Sequence, residues 1–146
     1  MKNLYLLFFC FSIFLLSCSK EDKMETTTST LEGSWRMIAV KENTTGIVSI
    51  KNASLEGNVE ITFLTANAGD GHFIGKTPTN DIWLSEYLTT ADKKLNIPYL
   101  SMTKVMETDW GLLFVDNIRS AEMYHFEPNG NLIITTALKT LTFKKL

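Results

Sequence analysis

The stretch AEMYHFEPNGNLIITTA, residues 121–137, decides the fold. Apolar and polar residues alternate on both sides of Pro128-Asn129-Gly130-Asn131. An Asn-Gly pair between two alternating runs is the strongest short-range signal of a β-hairpin, because both residues tolerate the positive φ that a tight turn needs. Residues 140–145 follow as a further strand, so the end of the chain reads as a hairpin plus one.

The same two-residue period continues upstream. Residues 31–40, LEGSWRMIAV, put Trp35, Met37 and Ala39 on one face, and residues 58–65 put Val59, Ile61 and Phe63 opposite Glu60, Thr62 and Leu64. Asn67-Ala68-Gly69-Asp70-Gly71 is turn chemistry leading into His72-Phe73-Ile74. Residues 82–88 and 95–102 read as strands around the polar loop 89–94. One segment departs: within residues 105–118, Met106, Trp110, Leu113, Phe114 and Ile118 recur at helical spacing, with Thr108 or Asp109 as N-cap and Gly111 as a mild internal penalty. The expected fold is α+β, mainly β: a small pseudo-barrel of mostly antiparallel strands with one amphipathic helix packed on it.

The N-terminal residues have a different character. Lys2 precedes an apolar block at residues 4–16, shorter than the roughly 20 residues needed to span a bilayer, so residues 1–17 read as a signal peptide. The block ends at Leu15-Leu16-Ser17-Cys18, which resembles the lipobox of bacterial lipoproteins. There the cysteine receives a diacylglyceryl thioether and becomes the new N-terminus. The other of the two cysteines, Cys10, lies in the removed segment, so the mature chain can form no internal disulfide and rests on its apolar core. Ser19-Lys20-Glu21-Asp22 looks like the signal of one lysine and two acids, Lys20, Glu21 and Asp22, that sends some lipoproteins to the cell surface. An ordinary solvated tether is the simpler alternative. Residues 18–30 are then the lipidated cysteine and a polar linker, and residues 31–146 one domain. The expected location is the outer membrane, lipid-anchored and exposed on the cell surface. The formal net charge of -2, one unit more negative once Lys2 is removed, attracts neither nucleic acid nor an anionic membrane face.

Leu31, Gly33 and Trp35 form a Leu-x-Gly-x-Trp strand. Gly71-His72-Phe73-Ile74-Gly75 follows, then Thr79-Asn80 and a strand holding Tyr87, then Ser101-Met102-Thr103-Lys104 before a helix, then the hairpin and final strand at residues 124–143. In kind and order these pieces resemble the META domain, the family of HslJ-like bacterial envelope lipoproteins named after heat-inducible members. The resemblance covers residues 31–146. It implies a small pseudo-barrel of strands with one helix, attached to the envelope, with no established catalytic activity. Two departures stand out: Pro78-Thr79-Asn80 replaces the family's usual Gly-Cys-Asn, and Glu107 stands where a second cysteine follows the Thr-Arg motif. The two cysteines are absent together, as expected if they pair in other members, so any redox role of that pair is unavailable here. The opening Gly-x-Trp also suits a lipocalin, whose eight-stranded barrel holds one small apolar ligand. Asn80 and the Thr103-Lys104 pair before the helix favour META.

Catalytic signatures are missing: the mature chain has no free thiol, no phosphate-binding glycine loop, no HExxH and no GxSxG. Asp70-x-His72 and His125-x-Glu127 each put a carboxylate and an imidazole on one face of a strand, and two such strands side by side could offer four metal ligands. More simply, Asp70 is a turn residue, His72 and His125 are ordinary sheet residues, and neither metal nor other cofactor is expected. Asp81 with Glu86, and Glu107 with Asp109, could in principle form acid–base pairs. The second pair sits more simply at a helix N-terminus, whose dipole favours negative charge. No catalytic residue is assigned. Trp83 follows the Asn80-Asp81 loop; if Leu84 faces the core, alternation turns Trp83 outward, making Asn80, Asp81 and Trp83 a candidate binding surface.

Two functions follow as expectations. One is a non-enzymatic, lipid-anchored envelope module, a stress-related or binding accessory that contacts the membrane only through its anchor and has an envelope protein as partner. The other is a lipocalin-like carrier of a small apolar ligand. They differ in whether Trp35, Ile61, Phe63, Phe114 and Phe143 fill the interior.

Overall fold

A computed structural model describes residues 30–51, 57–67 and 69–146. The expected signal peptide, Cys18 and the expected signal at Lys20, Glu21 and Asp22 lie outside the described residues. The strands are β1 (Gly33–Glu42), β2 (Val48–Ile50), β3 (Glu60–Asn67), β4 (Asp70–Lys76), β5 (Asp81–Thr89), β6 (Leu95–Tyr99), β7 (Ala121–Phe126), β8 (Leu132–Thr136) and β9 (Lys139–Lys145), with helix α1 (Asp109–Ile118) between β6 and β7. All belong to one antiparallel sheet in the order β6-β5-β4-β3-β1-β9-β8-β7, and β2 pairs with the second half of β1. The two ends of the sheet approach each other: the Tyr124 N–H donates to the Lys93 carbonyl at 3.0 Å, and Lys94 forms a lone bridge with Met123. The sheet therefore curls into a nearly closed barrel with one helix, as the hairpin-rich sequence predicts.

Alternation fills the inside. Val59, Ile61 and Phe63 are buried, while Leu64 faces solvent. Trp35, Ile61, Phe63, Phe114 and Phe143 all belong to one continuous core. Helix α1 sends Trp110, Phe114 and Ile118 into it, and Phe114 meets Phe143 edge-on at 6.4 Å. Phe63 stands edge-on to Tyr87 at 5.1 Å, the preferred geometry of aromatic pairs.

Where the structure departs from the sequence pattern, a bulge or a cap is responsible. A bulge between Met37 and Ala39 inserts one residue into β1, so Val40 rather than Ala39 joins Trp35 and Met37 inside. Thr108 is the N-cap, its hydroxyl accepting from the Gly111 N–H, so the helix starts too late to include Met106, which is 90% exposed. In the 128–131 loop only Gly130 adopts positive φ, at 84°; the Glu127 N–H bonds to the Asn131 carbonyl and the Gly130 N–H to that of Glu127, each at 2.9 Å. Asp70 already belongs to β4, and β6 ends at Tyr99, just past Pro98, on a strand whose one strand-long neighbour is β5.

Candidate functional site

Two neighbouring features emerge around the start of β5: a polar clamp on the helix side and an apolar groove on the outer face of the sheet.

The clamp is centred on Asn80, which is only 3% exposed. Its Nδ2 donates to Glu107 Oε2 at 2.9 Å and to the Val105 carbonyl at 3.0 Å, while its Oδ1 accepts from Thr103 Oγ1 at 2.9 Å and the Val105 N–H at 2.7 Å. Glu107 also accepts from Thr77, from Thr79 Oγ1 at 2.9 Å and from the Thr108 N–H at 3.0 Å. Burial opposes ionisation of Glu107, but the hydrogen bonds from Thr77, Asn80, Thr79 and the Thr108 N–H together outweigh it and hold its pKa below the usual glutamate value. Gly111 belongs to the same device. A Cβ there would lie 2.2 Å from the Glu107 carboxyl, so glycine in the first turn of α1 makes room for the clamp. Asn80 is thus not part of a binding surface: its amide is consumed in tying the β4–β5 loop to the segment before α1.

The outward side chains of β1, β3, β4 and β5 form the second feature. Trp83 is 55% exposed, and Leu84 is 63% exposed rather than core-facing. The pairing of β4 with β5 shifts between Phe73 and Gly75, and Leu84 takes φ 29°. The bulge therefore presents Trp83 and Leu84 outward together, and a leucine in the left-handed region costs of order 1–3 kcal/mol. With Ser34, Thr62, Ile74 and Leu146 they line an open groove of about 550 Å³. The floor is tight at Gly75, where a Cβ would stand 2.1 Å from the Glu60 carbonyl. Glu60 and Lys76 also line the groove, where Glu60 is bridged by Arg36 at 2.8 Å and Lys76 at 3.2 Å. Burial resists ionisation of Glu60, and the hydrogen bonds and charges of Lys76 and Arg36 overcome it, lowering its pKa.

The remaining predicted residues scatter. Asp81 is exposed on the groove's edge. His72, on β4, is paired with Leu64 and Glu86; His125, on β7, with Ile133. The strand order does not place β4 beside β7, so the two carboxylate–imidazole pairs do not converge. Among the described residues no group of three or more His, Cys, Asp or Glu could hold a metal ion. Among the same residues no helix is long and apolar enough to cross a membrane. What sequence reasoning missed is Leu84, because a bulge leaves no mark on residue alternation, and the role of Glu107, whose partners lie nearly thirty residues away.

Among the described residues, fold and site together define a small, mainly β pseudo-barrel with one helix, one continuous apolar core and an outer groove. No family model and no curated protein matches the chain. Among solved structures the fold is similar to that described as "NMR structure of the protein from Burkholderia xenovorans", with a TM-score of 0.60, 19% identity and coverage of 79% of this chain and 82% of that one. At that identity the likeness establishes the fold alone.

Proposed function

We propose that this is a non-enzymatic, lipid-anchored envelope protein with a META-like domain, acting by contact through the outer face around Trp83. The observation that carries the contact reading is the outward presentation of Trp83 and Leu84 together, beside a groove, on a domain whose five diagnostic aromatic and aliphatic residues are packed into one core. A carrier of the lipocalin kind needs that interior for its ligand.

The resemblance to META domains draws support from the clamp. Asn80 and Thr103, from two separate matching motifs, bond to each other at 2.9 Å. Thr79 and Glu107, which stand where the family has its two cysteines, are likewise 2.9 Å apart at their side-chain oxygens. Cys18 is the lipidation site in this reading, and Lys20, Glu21 and Asp22 direct the protein to the cell surface. Intact-mass measurement of protein extracted from membranes tests the anchor: the chain begins at Cys18 and carries acyl mass, and an unmodified Cys18 or a retained signal peptide refutes it. Replacing Lys20, Glu21 and Asp22 with alanine leaves the acyl mass in place and abolishes digestion by protease added to intact cells; unchanged digestion refutes the surface signal.

A further inference from the structure

We infer that the Trp83 face is a lipid-docking surface: the partner of the proposed contact face is the bilayer surface itself. This rests on the anchored reading above. Three observations lead there.

The first is composition. Leu146, Ser34, Thr62 and Ile74 form one outward row of neighbouring strands that ends at Trp83 and Leu84, and Leu64, His72, Glu86 and Tyr99 form the next. Leu64, Ile74, Trp83, Leu84, Tyr99 and Leu146 are all exposed large hydrophobics. A Trp and a Tyr among aliphatic side chains is the make-up of surfaces that settle at the level of lipid headgroups, where one end of each ring is apolar and the other wet.

The second is charge. Along one wall of the groove, which Glu60 and Lys76 line, Lys144, Arg36, Glu60 and Lys76 follow one another across β9, β1, β3 and β4. Arg36 and Lys76 share Glu60, so the row keeps an excess of cation that can reach phosphate while the stems cover apolar surface. Asp81 and Glu86 stand toward the β5 side, which leaves the whole face close to neutral. Apolar insertion is therefore the main source of binding, and the basic row sets the orientation.

The third is where the chain enters. The segment from Cys18 joins the domain at Thr30, and Ser34, four residues on, already lines the groove, with the Leu146 N–H bonded to its carbonyl at 2.9 Å. Fully extended, the twelve steps from Cys18 to Thr30 span at most about 40 Å. An acylated Cys18 thus keeps the groove within reach of the bilayer and converts weak docking into an intramolecular event.

The test uses the mature-length chain with Cys18→Ser, which carries no acyl group, so its outcome is separate from that of the mass measurement. Trp35 and Trp110 are buried and Trp83 is not, so a change in tryptophan emission on adding vesicles reports Trp83. With vesicles of phosphatidylethanolamine and phosphatidylglycerol the emission shifts to the blue and is quenched by brominated acyl chains. The double variant Trp83→Ser, Leu84→Ser loses about tenfold or more in vesicle partitioning with an unchanged circular dichroism spectrum. Raising salt weakens partitioning only a few-fold, as a nearly neutral face requires. No shift at millimolar lipid, equal partitioning of the double variant, or a blue shift that appears on concentrating the protein without vesicles overturns the inference, the last because it identifies a second copy as the occupant.

Discussion

Asn80→Ala is the substitution that most directly separates the two roles the 80–83 segment could have. In the structure the alanine removes a hydrogen bond to the Glu107 carboxylate and two to the backbone of Val105, besides those with the Thr79 and Thr103 hydroxyls. A hydrogen bond to a charged group contributes about 1.5–3 kcal/mol and a neutral one about 1 kcal/mol. The two hydroxyls sit on partly exposed residues and can turn to water, so they add little. The expected loss is about 3–5 kcal/mol, a large share of the roughly 5–15 kcal/mol that holds a domain of this size together without disulfides. In urea, with a slope near about 1.5 kcal/mol/M, the midpoint falls by about 2 M or more. Asn80→Asp keeps the volume but turns a second carboxylate toward Glu107, so it is at least as damaging at neutral pH and partly relieved in acid. Asp81→Ala, one residue on and exposed, moves the midpoint little. If Asn80→Ala shifts the midpoint no further than Asp81→Ala, the clamp contributes nothing and the reasoning from its hydrogen bonds is wrong.

Four further outcomes follow from the same structure. Trp110→Ala loses about 3–5 kcal/mol, whereas Trp83→Ala loses under about 1 kcal/mol; equal denaturant midpoints refute the assignment of faces. Trp110 Nε1 is buried without a hydrogen-bond partner among the described residues, so Trp110→Phe sacrifices no polar contact there and retains more than half of what Trp110→Ala loses, measured the same way. Gly111→Ala destabilises the protein despite alanine's advantage of about 1 kcal/mol inside a helix, because its Cβ collides with the Glu107 carboxyl; a rise in the thermal midpoint contradicts this. The folded-state pKa of Glu107 lies below its unfolded value, so its contribution is fully present above the unfolded pKa and disappears as pH falls through the folded one. Denaturation between about pH 5 and pH 2 shows a shallower acid loss for Glu107→Gln than for the parent; identical slopes exclude Glu107 as a source.

The legible parts of the fold are those where one face alternates without interruption. Val59, just before β3, and Ile61 and Phe63 within it keep one period, so their burial was readable. In β1 the period breaks at the Met37–Ala39 bulge, and nothing in LEGSWRMIAV marks it; the same holds for Leu84 in β5. The Thr108 cap was readable from residue type, and it also explains why Met106, two residues earlier, falls off the helix. Trp83 faces solvent as predicted but for a different reason, since Leu84 beside it is exposed too. Asn80 was misread because an asparagine in a loop between strands is normally solvated. Its burial depends on acceptors and donors at Thr103, Val105 and Glu107, and spacing along the chain carries no information about that meeting.

The position of β1 has a bearing on when the protein can fold at all. One edge of β1 pairs with β3 and β2, and the other with β9, where Trp35 faces Lys145. The first strand of the domain therefore waits for the last. Before β9 has been synthesised, β1 has an open edge, Met37 lacks its Phe143 partner strand, and the seam through the centre of the sheet is absent. Pairings this distant in sequence form slowly, because the loop they close must be ordered before any contact rewards it. If residues 1–17 are the signal peptide proposed above, that delay is an advantage: a polypeptide is threaded through a membrane unfolded, and a topology that joins its beginning to its end acts as a clock, holding off the compact state until translation of the domain is complete.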